Sequence, residues 1–350
     1  MKKVGWAILG PGSLANERIA PGINLSENSR LVAVCGSHES TPDGMIQDFA
    51  RRHGVPHWYP YSDLDGFFAN SEVDAIYVSV PNAYHSEFVK KAASAGKHVF
   101  CEKPMATTIE ECQQMIDACN EAGVKLGIAF MFPFHPASIH ARQIIRSGEL
   151  GEIRLIRSTI TFDISGAKQS WRWNPRISGG GPIIEAACHC VDIMDFLIES
   201  PVVEVNAMTD KRHSKGEVEE MGTILLRYAN GAMGIVTVSN VLPATGDYGR
   251  CFDVHGTKAS LVGVGNLSRN PTGMLILQQE NGISQRFTYG GHMATLWAGE
   301  VSEFSRCIIE DDVPRANGRH GMRNLQVLLA AYDSAFSEKI VKLDVEENTR

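Results

Sequence analysis

With 350 residues, 43% of them hydrophobic and 21% charged, the chain has the make-up of a globular protein long enough for two domains, each with its own core. A net charge of -7, with acids and bases interspersed, offers no basic surface to nucleic acid or to an anionic membrane. No apolar run approaches a membrane span, and Met1-Lys2-Lys3-Val4-Gly5-Trp6 enters a strand pattern directly, without the apolar region and cleavage site of a signal peptide.

The first predicted strand, over 4–9, runs into Gly10-Pro11-Gly12-Ser13-Leu14-Ala15 and a segment through Ile19 that can begin a helix. This is the Gly-x-Gly-x-x-Ala form of the dinucleotide fingerprint, in which small residues let backbone amides and a helix amino terminus approach a pyrophosphate. It makes Gly10, Gly12, Ser13 and Leu14 candidate cofactor contacts. A second strand, over 31–35, follows about twenty residues on, as a βαβ unit requires. Where an enzyme preferring NAD carries Asp or Glu on the ribose, this chain has Gly36-Ser37-His38, with Glu39 one step further. A hydroxyl and an imidazole in place of a carboxylate favour NADP. The alternative is that Ser37 and His38 are plain loop residues and Glu39 holds the ribose of NAD.

Helices are predicted over 45–53 and 64–69, with a short strand over 57–59 between them, and then a strand over 75–80 ending in Pro81-Asn82-Ala83-Tyr84-His85. Ligands of parallel α/β sheets bind at the carboxyl ends of strands. Pro81, Asn82 and His85 therefore join the cofactor candidates, Asn82 for the nicotinamide or its ribose, although His85 opens the next helix and can equally cap or pack there. After that helix, over 86–95, the run Gly96-Lys97-His98-Val99-Phe100-Cys101-Glu102-Lys103-Pro104 reads as a buried strand that delivers an acid, a base and a proline at its carboxyl end. Pro104 fixes its own φ and keeps Lys103 out of the helical region, which gives the lysine a stiff, extended corner suited to catalysis. A helix over 108–122 and a strand over 125–130 complete an alternation that means a doubly wound parallel sheet.

Beyond 130 the rhythm changes. A long helix through Ile145 and a glycine-flanked turn lead to a strand over 152–161. Strand patterns over 202–208, 221–228, 233–240, 250–255, 259–264, 274–279 and 285–289 then follow without helices between them, so the second domain, 131–350, is expected to be α/β with a large open, mostly antiparallel sheet. Helices over 296–310 and 321–337 close the chain. One insertion stands out: Trp171-Arg172-Trp173-Asn174-Pro175-Arg176, then Gly179-Gly180-Gly181-Pro182-Ile183-Ile184-Glu185-Ala186-Ala187-Cys188-His189-Cys190-Val191-Asp192. The glycines let a loop come close to something. Glu185, His189 and Asp192 stand at i, i+4 and i+7, one face of an α-helix, where they can handle a proton or grip a substrate; the plainer reading is a polar face in water. The eight cysteines are scattered among mostly apolar neighbours, as in a reduced, cytoplasmic protein. Cys188-His189-Cys190 lacks a second ligand pair, so no metal is expected.

Taken together, Gly10 to Ala15, Pro81-Asn82, Gly96 to Pro104 and Gly179 to Asp192 resemble the glucose-fructose oxidoreductase, inositol dehydrogenase and rhizopine-catabolism family of NAD(P)-dependent oxidoreductases. The resemblance covers nearly the whole chain. It implies a Rossmann domain, 1–130, joined to an α/β domain whose open sheet commonly mediates oligomerisation, hence a homodimer or homotetramer. It also implies catalytic roles for Lys103 and His189, with Glu102 and Lys103 beside the cofactor and Asp192 binding substrate or supporting the histidine. Where many members carry Asp-x-Gly-x-His this chain has Glu185-Ala186-Ala187-Cys188-His189, and where many carry an arginine before Phe-x-Pro it has Pro133. Trp171-Arg172, the three glycines and Val254-His255-Gly256-Thr257 resemble the anhydrofructose reductase branch, which uses NADPH.

The expected activity is hydride transfer between a nicotinamide and a carbinol or carbonyl carbon of a sugar, cyclitol or related polyol, within carbohydrate metabolism. His189 is the expected acid and base, its ordinary pKa lying near neutrality. Lys103 stabilises the reacting oxygen or shares the proton. Trp171 can stack on a sugar face, while Arg172, Arg176, Glu185 and Asp192 can bond hydroxyls. Two rivals remain: an enzyme of a non-sugar ring such as a dihydrodiol, and a noncatalytic dinucleotide sensor that binds a protein partner.

Overall fold

A computed structural model describes residues 2–37, 46–166, 170–212, 216–243, 249–280 and 282–344. The chain divides into two compact units, Met1–Met131 with Met293–Met322, and Phe132–His292 with Arg323–Arg350.

In the first unit six strands, β1 (Val4–Leu9), β2 (Ser29–Gly36), β3 (His57–Pro60), β4 (Ala75–Val78), β5 (His98–Glu102) and β6 (Leu126–Ala129), form one parallel sheet in the order β3-β2-β1-β4-β5-β6. Every residue of β1 and β4 is buried, the continuous apolar run of a strand covered on both faces. The connecting helices are α1 (Ala20–Leu25), α2 (Ile46–His53), α3 (Leu64–Ala69), α4 (His85–Ser94) and α5 (Ile109–Glu121). Local chemistry sets their starts. At α5 the Thr108 hydroxyl accepts the Glu111 N–H, and the Glu111 carboxylate returns to the Thr108 N–H, a capping box. The strand order reverses between β1 and β4, which opens a crevice at their carboxyl ends.

The second unit carries nine strands: β7 (Ile153–Thr161), β8 (Val202–Asp210), β9 (Met221–Tyr228), β10 (Met233–Ser239), β11 (Arg250–Gly256), β12 (Ala259–Val264), β13 (Gly273–Gln279), β14 (Ser284–Tyr289) and β15 (Val341–Lys342). They run β14-β13-β12-β11-β7-β10-β9-β8-β15, antiparallel except where β7 meets β10. Burial alternates along β9, β10 and β12, so one face is packed and the other is not. Helices α6 (Pro136–Arg146), α7 (Pro175–Ser178) and α8 (Cys188–Ile198) belong to this unit.

The division differs from the contiguous second domain, 131–350, read from the sequence. Helix α9 (Thr295–Glu310) and the start of α10 (Gly318–Ser337) group with the parallel sheet. The reason is the need to cover that sheet. Trp6 Nε1 donates to Ser305 Oγ at 2.9 Å, and the Phe304 ring stands 5.7 Å from Trp6 and 4.9 Å from Phe100. Gly22 lets α9 approach, since a Cβ there would lie 2.7 Å from that of Trp297. Strand β15, two residues long, was not foreseen, being too short to show any period. No helix among the described residues is long and apolar enough to cross a membrane.

Candidate active site

The loop after β1 is built as a close-approach cradle. Gly10 has φ +88°, and a Cβ on it would lie 2.6 Å from the Ser79 carbonyl oxygen at the end of β4, so only glycine fits. Its N–H donates to the Cys35 carbonyl at 3.0 Å, and Gly12 donates back to the Gly10 carbonyl at 2.9 Å. Ser13 is exposed and Leu14 half-buried, and a π-turn, Ala15–Ile19, carries the chain into α1. Gly36 closes β2 against this loop, where a Cβ would fall 2.6 Å from Pro11 Cδ. A tight turn in which Gly10 and Gly36 exclude a Cβ, and which leads into a helical segment, fits a pyrophosphate. Ser37 follows Gly36, while His38 and Glu39 lie outside the described residues.

At the end of β4, Pro81 is extended with φ -61° and ψ 147°, and the buried Asn82 opens the turn Asn82–Tyr84. His85 is fully buried. Its Nδ1 lies 2.9 Å from the Pro104 carbonyl and its Nε2 2.9 Å from the Val80 carbonyl, and burial lowers its pKa. The imidazole is therefore a strut between the β4 and β5 corners. The Lys103–Pro104 peptide bond is cis. Glu102 is turned inward: Oε1 accepts the Tyr77 hydroxyl at 2.9 Å and Oε2 the Lys103 N–H at 3.2 Å. Lys103 itself is half-buried.

In the second unit, a 3-10 turn (Trp171–Trp173) and α7 lead into the glycines. What these approach is the protein itself. A Cβ on Gly180 would stand 2.1 Å from Tyr332 Oη, and one on Gly181 would stand 2.1 Å from the Glu219 carbonyl oxygen. The Glu219 carboxylate accepts the N–H of Gly181 at 2.9 Å and of Ile183 at 3.0 Å, and the Tyr332 hydroxyl donates to it at 2.8 Å. Burial raises the Glu219 pKa, with these donors opposing. Glu219 thus caps the segment that carries His189. Sequence reasoning missed both residues, because neither sits in a motif and each lies tens of positions from the loop it fixes.

That segment is also not one regular α-helix. A π-turn, Ile183–Ala187, precedes α8, so the i, i+4, i+7 argument fails at Glu185. Glu185 instead accepts Arg172 Nε at 2.7 Å, and the Arg172 guanidinium lies 4.6 Å over the Trp171 ring. His189 and Asp192 share α8 and are both buried, which removes the reading of a polar face in water. The His189 ring packs edge-on to Phe132 with centroids 5.0 Å apart, and Asn324 Nδ2 donates to the Cys188 carbonyl at 2.9 Å. Arg176 is exposed. The cofactor candidates thus fall in the first unit and the substrate candidates in the second. Among the described residues no group of three His, Cys, Asp or Glu is arranged to hold a metal, and no two of the eight cysteines form a disulfide.

A family model described as the oxidoreductase family, NAD-binding Rossmann fold, matches residues 4–130, and one for the GFO/IDH/MocA C-terminal domain matches 139–262. The aldose-aldose oxidoreductase of Caulobacter crescentus, crystallised with glycerol, is 31% identical and superposes with a TM-score of 0.89 over 98% of this chain and 100% of that one. The Haloferax volcanii protein named D-xylose 1-dehydrogenase (NADP(+)) 2 is 26% identical over 348 residues, 97% of this chain and 99% of its own. The 1,5-anhydro-D-fructose reductase of Ensifer adhaerens is 27% identical over 347 residues, 97% and 98% of the two chains.

Proposed function

The chain belongs to the GFO/IDH/MocA family of NAD-binding oxidoreductases, and from that premise we propose that it moves hydride between a nicotinamide and a carbinol or carbonyl carbon of a sugar, cyclitol or related polyol. The observation that carries this reading is the placing, on one parallel sheet, of the tight glycine turn after β1 and the Lys103 corner after β5, both at strand carboxyl ends. The names of the three relatives favour a sugar.

A bound nicotinamide would supply hydride acceptance or donation at the carbinol or carbonyl carbon, and the protein would take or return the proton of the substrate oxygen. The chain supplies binding and proton handling. Gly10, Gly12, Ser13 and Leu14 hold the pyrophosphate, and Pro81 and Asn82 the nicotinamide end. NADP is preferred, because β2 ends in Cys35-Gly36 and is followed by Ser37, without a carboxylate there to repel a 2′-phosphate, and one relative is named for NADP. The Lys103 ammonium stabilises negative charge on the reacting oxygen, and an imidazole nitrogen of His189 exchanges the proton. Trp171, Arg172 and Asp192 bond the substrate. The enzyme works in the cytoplasm as a homo-oligomer.

Absorbance of reduced nicotinamide, followed over a panel of polyols and keto-sugars with both cofactors, tests the reading. Turnover is expected with NADP and a sugar, and Lys103→Ala and His189→Ala are each expected to lower kcat by about 10²- to 10⁴-fold with cofactor binding unchanged. Tight NADP binding without turnover on any substrate would identify a sensor. Turnover confined to ring diols would move the substrate class, and full turnover in both variants would remove the assigned roles.

A further inference from the structure

The helical run that carries His189 begins where the local sequence offers it no cap. A helix leaves its first N–H groups without partners inside its own turns. Gly179, Gly180 and Gly181 have no side chains to give, and no side chain caps the π-turn at Pro182. Gly179 also stands in the left-handed region, at φ +80°, so the chain enters the run through its least constrained kind of residue. The missing acceptors come from far along the chain, from Glu219 just before β9. Its Oε2 accepts the Gly181 N–H at 2.9 Å and its Oε1 the Ile183 N–H at 3.0 Å, while the Tyr332 hydroxyl, on α10, donates to that same Oε1 at 2.8 Å.

Helix α10 reaches the same run a second time. Asn324, 2% exposed, donates from Nδ2 to the carbonyl of Cys188, the residue before His189, at 2.9 Å. Tyr332 lies about two turns, or about 12 Å, further along α10. On the sheet side Ile183 packs against Gly222 of β9, where a Cβ would stand 2.7 Å from Ile183 Cγ1. The backbone is thus pinned at Gly181 and Ile183 by Glu219 and at Cys188 by Asn324, and the imidazole projects from the next residue. One pin at Cys188 would leave the run free to pivot. The second pin sets its direction.

We propose that Glu219 is a positioning residue for His189: steadied by Tyr332, it fixes the start of the helical run and so the angle at which the imidazole meets the substrate oxygen. The inference rests on the proton-transfer role given to His189 above. Glu219 acts through the backbone of the run and takes no proton from substrate. A catalytic group displaced by about 1 Å loses about 10²-fold in rate, so a cap remote from the chemistry can govern kcat.

A double-mutant cycle with His189 tests it. In Glu219→Gln an amide nitrogen, which cannot accept, replaces one of the two oxygens, and a backbone N–H loses its partner. The variant is expected to lower kcat by about 10- to 100-fold while the substrate KM stays within about twofold. Tyr332→Phe keeps both backbone bonds and removes only the support of Glu219, so its loss is expected at about 3- to 10-fold. In a His189→Ala background neither substitution should lower kcat further, because no imidazole remains to be misplaced. Should Glu219→Gln not fold, Tyr332→Phe with and without His189→Ala still decides. Parental kcat in both single variants would overturn the proposal. So would the same fractional loss with and without His189, the mark of a cap that serves only the fold, or a raised KM at parental kcat. Full turnover in His189→Ala would instead remove the role of the histidine, a failure seen without any change at Glu219.

Discussion

His135, at the start of α6, is a buried imidazole whose Nδ1 accepts the Ala137 N–H at 3.1 Å while its Nε2 donates to the Thr272 carbonyl at 3.0 Å. Only the neutral ring can do both, and burial pushes its pKa down from 6.5 to about 4. The unfolded chain therefore binds the extra proton first. Stability is complete above 6.5 and is lost as the pH falls towards 4, by up to about 3 kcal/mol. Urea midpoints measured across that window should fall steeply for the parent. They should fall less for His135→Asn, whose side-chain oxygen can still cap the helix; equal slopes would take His135 out of the effect. A second side-chain argument concerns Arg172. Glu185 neutralises it and Trp171 lies under it, so the proposed substrate wall presents no net positive charge. Glu185→Ala should free the guanidinium for a carboxylate and raise the kcat/KM of a sugar acid relative to its neutral sugar by about tenfold. An unchanged ratio would mean that Arg172 does not face substrate.

At the scale of elements, the three glycines were legible as a place of close approach, but their partners were not. Gly180 and Gly181 are small because Tyr332 and Glu219 press on them, and those two residues come from α10 and from the stretch before β9. Local pattern carries no such information. The π-turn escaped for a related reason: counting by 3.6 assumes the regular helix that the turn interrupts, so Glu185 was set beside His189 when it pairs with Arg172. Most strands and helices were legible to within a few residues, because alternation and apolar runs report how many faces of an element are covered. The glycine contacts make a sharp test. Gly181→Ala should lower stability by about 1–3 kcal/mol, because its Cβ would sit 2.1 Å from a backbone oxygen that cannot swing away. Calorimetry would show this as a lower Tm, and an unchanged Tm would mean that the Glu219 backbone yields.

For the whole molecule, the parallel sheet was legible because each βα pair is local in sequence. The return of α9 to cover that sheet was not, since Phe304 and Ser305 meet Trp6 across almost the entire chain. The nine-stranded sheet poses the remaining large-scale question, because one face is unevenly covered. On that side Leu225 pairs across to Ile235, Met233 lies two residues away, and Met208 belongs to the same face of β8. Leu225, Met233 and Met208 are 50%, 46% and 78% exposed. Beside them Arg157 makes a bidentate pair with Asp253, at 2.8 and 2.9 Å, an ordered polar patch next to an apolar one. A self-complementary mixture of that kind suits a two-fold contact between copies, in which the same patch serves both subunits. The proposed homo-oligomer should therefore form through this face. Leu225→Glu with Met233→Glu should reduce the mass seen by sedimentation equilibrium to that of one chain while circular dichroism is unchanged, since both side chains point away from the packed core. A parent that is already monomeric, or a double variant that keeps the parental mass, would show that this face does not join copies of the chain.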